Sequence, residues 1–214
     1  MSERQQGLES ILKQAPVIPV LVIDSVADAV PLAKALVEGG LPVLEITLRT
    51  KAAPDCIRAI KAEVKNVIVG SGTVLDEQGL KLSEELGCAF AVSPGATPAL
   101  LDAAAISRTP LLPASRSPSE TMALLERGYA FQKFFPAEQS GGAAYLSALT
   151  SPLPQVKFCP TGGITADNAP AYLKLTNVIT VGGSWMAPKA LIANKDWAGI
   201  VRLAAAASGL KQAA

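Results

Sequence analysis

Eight short apolar runs recur along the chain, and longer stretches of helical period fall between them. The runs are VIPVLVI (17–23), PVLEITL (42–48), NVIVGSG (66–72), AFAVS (89–93), PLLPA (110–114), AFQKFF (130–135), QVKFCP (155–160) and NVITVGG (177–183). The helical candidates are SVADAVPLAKALVEGG (25–40), KAAPDCIRAIKAEV (51–64), DEQGLKLSEELG (76–87), TPALLDAAAIS (97–107), SPSETMALLERG (117–128), an Ala-rich piece near 141–149, ADNAPAYLKL (166–175) and DWAGIVRLAAAASG (196–209). Strands alternating with helices at this spacing predict a parallel sheet with crossover helices. Eight such units in 214 residues fit an α/β, single-domain (β/α)8 TIM barrel near the roughly 200-residue lower end of that fold. A doubly wound sheet is the rival, but the first strand runs into VIDSVAD and no GxGxxG follows it. Residues 1–15 are expected to form a short extra N-terminal helix with Leu8, Ile11 and Leu12 on one side, ahead of a barrel over 16–214.

Composition narrows the class. Half the residues are hydrophobic and 17% are charged, with a net charge of +1. That balance gives no electrostatic reason to expect nucleic acid or an anionic membrane as partner, and VIPVLVI is too short to span a bilayer. Three scattered cysteines make neither a disulfide framework nor a zinc-ligand spacing. With the polar N-terminus MSERQQGLESILKQ, they point to a reducing, cytoplasmic setting. The chain has no histidine. Proton transfer in any enzyme reading therefore falls to carboxylates, Lys, Tyr, Cys or water, and the commonest metal ligand is missing. No metal and no cofactor is expected.

Strand parity brings in the chemistry. In PVLEITLRT, Leu44, Ile46 and Leu48 form one apolar face, so Val43, Glu45, Thr47 and Arg49 must point into the barrel or its mouth. In FQKFFP, Phe131, Lys133 and Phe135 share a face. Glu45 on the second strand and Lys133 on the sixth lie across the barrel, and layers drawn from alternate strands let them meet near the C-terminal ends. As a purely structural ion pair they would seldom improve on apolar packing. Burial of an amine disfavours its charged form, and a neutral lysine is the nucleophile of Schiff-base chemistry. A neighbouring carboxylate then supplies the proton shuttle. Lys133 is thus the candidate nucleophile and Glu45 the candidate acid/base.

The remaining candidates describe a substrate. Glycine pairs follow the last two strands, in CPTGGIT (159–165) and VGGSW (181–185), where barrel enzymes recurrently bind phosphate on backbone N–H groups. Ser184 can add a hydroxyl. Arg49 at the mouth suits a carboxylate. VGSGTVLD (69–76) places Thr73 at the mouth, and SPGATP (93–98) contributes Pro94. Together these fit a small 2-oxo acid carrying a phosphate at its far end.

LEITLRT (44–50), VGSGTVL (69–75), SPG (93–95), KFFPAE (133–138), FCPTGGI (158–164) and VGGSW (181–185) resemble the bacterial 2-keto-3-deoxy-6-phosphogluconate aldolases, in order and spacing over nearly the whole chain. These are class I aldolases of the Entner–Doudoroff pathway, often also active on 4-hydroxy-2-oxoglutarate. The resemblance implies Lys133 as Schiff-base lysine, Glu45 as acid/base, and Arg49 and Thr73 on the pyruvate carboxylate. It also implies Pro94 and Phe135 as pocket walls, and Thr161 beside the imine and the substrate hydroxyl. Gly162, Gly163, Gly183 and Ser184 would hold the phosphate, in a homotrimer. One segment, PASRSPSE (113–120), departs from the family: Ala114 stands for glycine, Ser115 for an apolar residue, and Arg116 adds a cation. The alternative reading is therefore a catalytically weakened phosphate-ligand-binding barrel or scaffold. A metal-dependent aldolase or isomerase is a third reading, opposed by the absent histidines.

Overall fold

The computed structural model describes residues 3–210; the outer ends of the expected domain span, 1–2 and 211–214, lie outside the described residues. Its strands are β1 (Val17–Leu21), β2 (Val43–Thr47), β3 (Ile68–Gly72), β4 (Ala91–Val92), β5 (Leu111–Leu112), β6 (Ala114–Ser115), β7 (Phe131–Phe134), β8 (Lys157–Pro160) and β9 (Val181–Gly183). The helices are α1 (Glu3–Leu12), α2 (Val26–Glu38), α3 (Ala53–Glu63), α4 (Glu77–Glu85), α5 (Pro98–Ile106), α6 (Pro118–Glu126), α7 (Gly142–Leu149), α8 (Ala169–Leu173), α9 (Lys189–Ala193) and α10 (Trp197–Ser208), with a 3-10 turn at Glu138–Ser140.

Every pairing is parallel. One sheet runs β5-β4-β3-β2-β1-β9 and the other β6-β7-β8. Bridges Phe158↔Val178 and Thr161↔Gly182 join β8 to β9. On the other side, β5 and β6 are one strand path interrupted at Pro113, which has no N–H to give the ladder. Its carbonyl still accepts the Lys133 N–H at 2.9 Å. The result is the expected (β/α)8 barrel, with its fifth strand in two pieces. A second difference is α9, a short helix before α10 that the sequence pattern did not mark.

Local signals explain the helix starts. Ser117 and Glu120 form a reciprocal capping box with Pro118 in the first turn of α6. Asp76, Thr97 and Asp196 accept backbone N–H groups at the starts of α4, α5 and α10. Two apolar layers follow from strand parity. Leu44, Ile46, Phe134 and Phe158 pack outward against the helices, and Phe134 stacks on Tyr145. Ile18, Val43, Phe90, Val92, Leu112, Phe131 and Cys159 fill the barrel, whose cluster takes in Leu8 and Leu12 of α1. The N-terminal helix thus packs into the lower core on the side expected, and Gln5 accepts the Phe131 N–H. Among the described residues no helix is long and apolar enough to cross a membrane.

Candidate active site

The apolar barrel layers end where Glu45 and Lys133 begin. Register places Val20 and Gly70 beside Glu45, and Ala114 and Cys159 beside Lys133. The Lys133 amine lies 3.4 Å from Glu45 Oε1, and both residues are only 4% exposed. The amine also sits 5.3 Å from the centre of the Phe135 ring. At 3.4 Å the pair is looser than a tight charge-assisted bond of about 2.8 Å, which leaves the amine available to a second partner.

Gly72 makes this geometry possible. A Cβ there would overlap the Glu45 carboxylate and lie 2.7 Å from its Cγ. Gly72→Ala is therefore expected to keep the barrel but swing Glu45 off the amine, lowering kcat by about 100-fold, the scale of a 1 Å misplacement. Steady-state kinetics beside a thermal melt checks this. Unchanged kcat would mean that the carboxylate position is unimportant.

Cys159 is the one nucleophile packed beside Lys133 on the neighbouring strand. Burial pushes its thiol up to about 12, partly offset by the Lys133 charge. It stays a thiol at neutral pH and does not compete for a carbonyl.

At the mouth, the Arg49 Nε–H donates to Thr73 Oγ1 at 2.8 Å, so the two carboxylate candidates are brought together. Thr73 has φ +58°. A β-branched residue in the left-handed region is a real outlier, and such strain, of order 1–3 kcal/mol, concentrates at functional sites. Pro94, Ala114, Arg116 and Phe135 line a cavity of 390 Å³ that continues between α5 and α6. It opens beside the Lys133–Glu45 pair, and neither of those residues lines it.

Thr161 is buried, pairs with Gly182, and faces it so closely that a Cβ on Gly182 would collide with the Thr161 hydroxyl. Gly162 and Gly163 have φ +100° and +76°, a backbone that side chains resist. Gly183 packs under Trp185, and Ser184 is exposed at the end of β9. Gly72 and Gly182 fall at inward positions of the expected strand runs, yet no role follows for either until the neighbouring side chain it makes room for is known.

The divergent segment does not disturb the pair. Ala114 is extended strand, outside the positive-φ residues, so an alanine in place of glycine carries no left-handed backbone cost there. Ser115 points outward, where its hydroxyl donates to Gln132 Oε1 at 2.8 Å and lies 3.1 Å from Thr121 Oγ1. The Gln132 amide donates to the carbonyls of Thr121 and Tyr129. This satisfied buried network ties β6 and β7 to α6. Arg116 is exposed at the rim, its N–H held by Glu120.

Comparison with known proteins agrees with the geometry. The family model described as KDPG and KHG aldolase matches residues 8–203. A 2-dehydro-3-deoxy-phosphogluconate aldolase of Pseudoalteromonas atlantica is 49% identical over 196 residues, 92% of this chain and 91% of that one. The Zymomonas mobilis 2-keto-3-deoxy-6-phosphogluconate aldolase, solved with 3-phosphoglycerate, superposes with TM-score 0.93 at 45% identity, covering 98% of both chains. The Legionella pneumophila KDPG aldolase, with pyruvate captured as a covalent carbinolamine, gives TM-score 0.91 at 44% identity, covering 94% of this chain and 98% of that one.

Proposed function

The chain belongs to the KDPG and KHG aldolase family, and from that premise we propose how its residues carry the reaction. The protein is a class I aldolase, a carbon–carbon lyase that cleaves 2-dehydro-3-deoxy-6-phosphogluconate to pyruvate and glyceraldehyde 3-phosphate. The Lys133 amine adds to C2, and loss of water from the carbinolamine gives the protonated imine. Glu45 takes the C4 hydroxyl proton, the C3–C4 bond breaks, and its electrons pass into the imine to form an enamine as the aldehyde leaves. Protonation at C3 and hydrolysis then release pyruvate and the free amine.

The observation that carries this reading is the isolated buried Lys133–Glu45 pair at 3.4 Å. The covalent carbinolamine in the Legionella enzyme supports it. Arg49 and Thr73 hold the C1 carboxylate, with Pro94 and Phe135 as walls and Thr161 next to the imine. Gly162, Gly163, Gly183 and Ser184 take the phosphate; that the Zymomonas enzyme was solved with 3-phosphoglycerate supports a phosphorylated ligand for the family. Turnover of 4-hydroxy-2-oxoglutarate on the same lysine, a homotrimeric state after the family pattern and a cytoplasmic setting complete the proposal.

The function is tested by following pyruvate release from the phosphorylated substrate with and without a chelator. Equal rates in both are expected. Loss of activity in chelator would favour a metal-dependent mechanism over the imine.

A further inference from the structure

The loop after β8 is fixed from below through its carbonyls. The Thr161 carbonyl accepts the Ala137 N–H at 2.8 Å, and the Gly162 carbonyl accepts the Glu138 N–H at 3.1 Å. The Gly163 carbonyl accepts the Asn168 side-chain amide at 3.0 Å. Among the described residues, the N–H groups of Gly162 and Gly163 meet no protein acceptor. Such donors, held by a pinned backbone, suit an anion.

One side chain acts on this loop from the β7 side. A Cβ on Gly163 would lie 2.7 Å from Glu138 Cγ and 2.8 Å from its Cβ, so the Glu138 stem lies against the Gly163 α-carbon. The Glu138 carboxylate accepts the hydroxyl of Tyr172 on α8. Tyr172 is 1% exposed, and burial and the adjacent Glu138 push its pKa well above the usual range, so it remains a donor. The contact links the segment after Lys133 to the helix after the glycine loop, with the Glu138 stem against Gly163 between them.

We propose that Glu138 and Tyr172 are positioning residues: they brace the glycine loop of β8 in its anion-binding form and so set affinity for the phosphorylated end of the substrate. The inference rests on the assignment of phosphate to Gly162 and Gly163 above. Neither side chain takes part in imine chemistry.

Three variants separate this from a general packing role. Tyr172→Phe keeps the ring and removes only the hydroxyl. Glu138→Ala removes the stem and the acceptor from an exposed position, and Glu138→Gln keeps both. Tyr172→Phe and Glu138→Ala should raise KM for 2-dehydro-3-deoxy-6-phosphogluconate by about 10-fold, the scale of one hydrogen bond to a charged group, with kcat within about 2-fold. Glu138→Gln should return most of that loss. Borohydride-dependent inactivation by pyruvate, which has no phosphate, should proceed at the wild-type rate in all three. An unchanged KM, or an equal loss in the pyruvate reaction, overturns the brace. A wild-type enzyme indifferent to the substrate phosphate overturns the phosphate assignment itself, and that is read before any variant is made.

Discussion

Lys133→Ala is expected to lower kcat by more than about 10⁴-fold, since removing a covalent nucleophile costs up to about 10⁶-fold in well-dissected enzymes. Among the described residues Lys133 is the only buried lysine, and Lys133–Glu45 is the only fully buried ion pair. The same substitution should destabilise the barrel by about 3–5 kcal/mol, because Glu45 is left buried without its cation. Adding Glu45→Gln to Lys133→Ala should recover part of that stability and none of the activity. Thermal melts beside kinetics on the two variants distinguish the roles; activity within about 10-fold of wild type in Lys133→Ala would refute the nucleophile assignment.

Glu45→Gln is the second large effect. Glutamine has nearly the shape of glutamate, and Gly72 leaves it the same space, so the fold should persist while proton transfer is lost. A kcat reduction of about 10²–10⁴-fold is expected, the usual worth of a general acid/base. KM for the phosphorylated substrate should change little, because the proposed carboxylate and phosphate contacts are made by other residues. If KM rises while kcat holds, Glu45 binds the substrate and another group moves the proton.

Both effects were legible in the sequence because strand parity is a strict rule. Leu44 and Ile46 could not face inward without sending Glu45 out among helices, and Phe131 fixed the side of Lys133 in the same way. The eight-unit rhythm likewise placed the pair across the barrel. Other features depended on contacts that no local pattern carries. Pro113 splits the fifth strand, yet a proline at a strand interior only becomes a break once its neighbours need a donor. Ser115 read as a departure near the site because its partner, Gln132, lies 17 residues away and faces the helix layer. Arg49 and Thr73 were each read as mouth residues and joined on one carboxylate only through the family resemblance; their direct bond and the left-handed backbone of Thr73 needed the folded geometry. Glu138 stood inside KFFPAE without a role, since Tyr172 is 34 positions further on. Gly72 shows the general limit: its inward parity was readable, but the side chain it makes room for belongs to the neighbouring strand.

The Schiff base itself is tested most directly by borohydride reduction in the presence of pyruvate, followed by mass analysis of the proteolysed chain. A reduced pyruvate adduct on the peptide carrying Lys133, absent without pyruvate and absent in Lys133→Ala, is the predicted result. A folded, active enzyme whose Lys133 peptide stays unmodified, or whose adduct maps to another lysine, would contradict it.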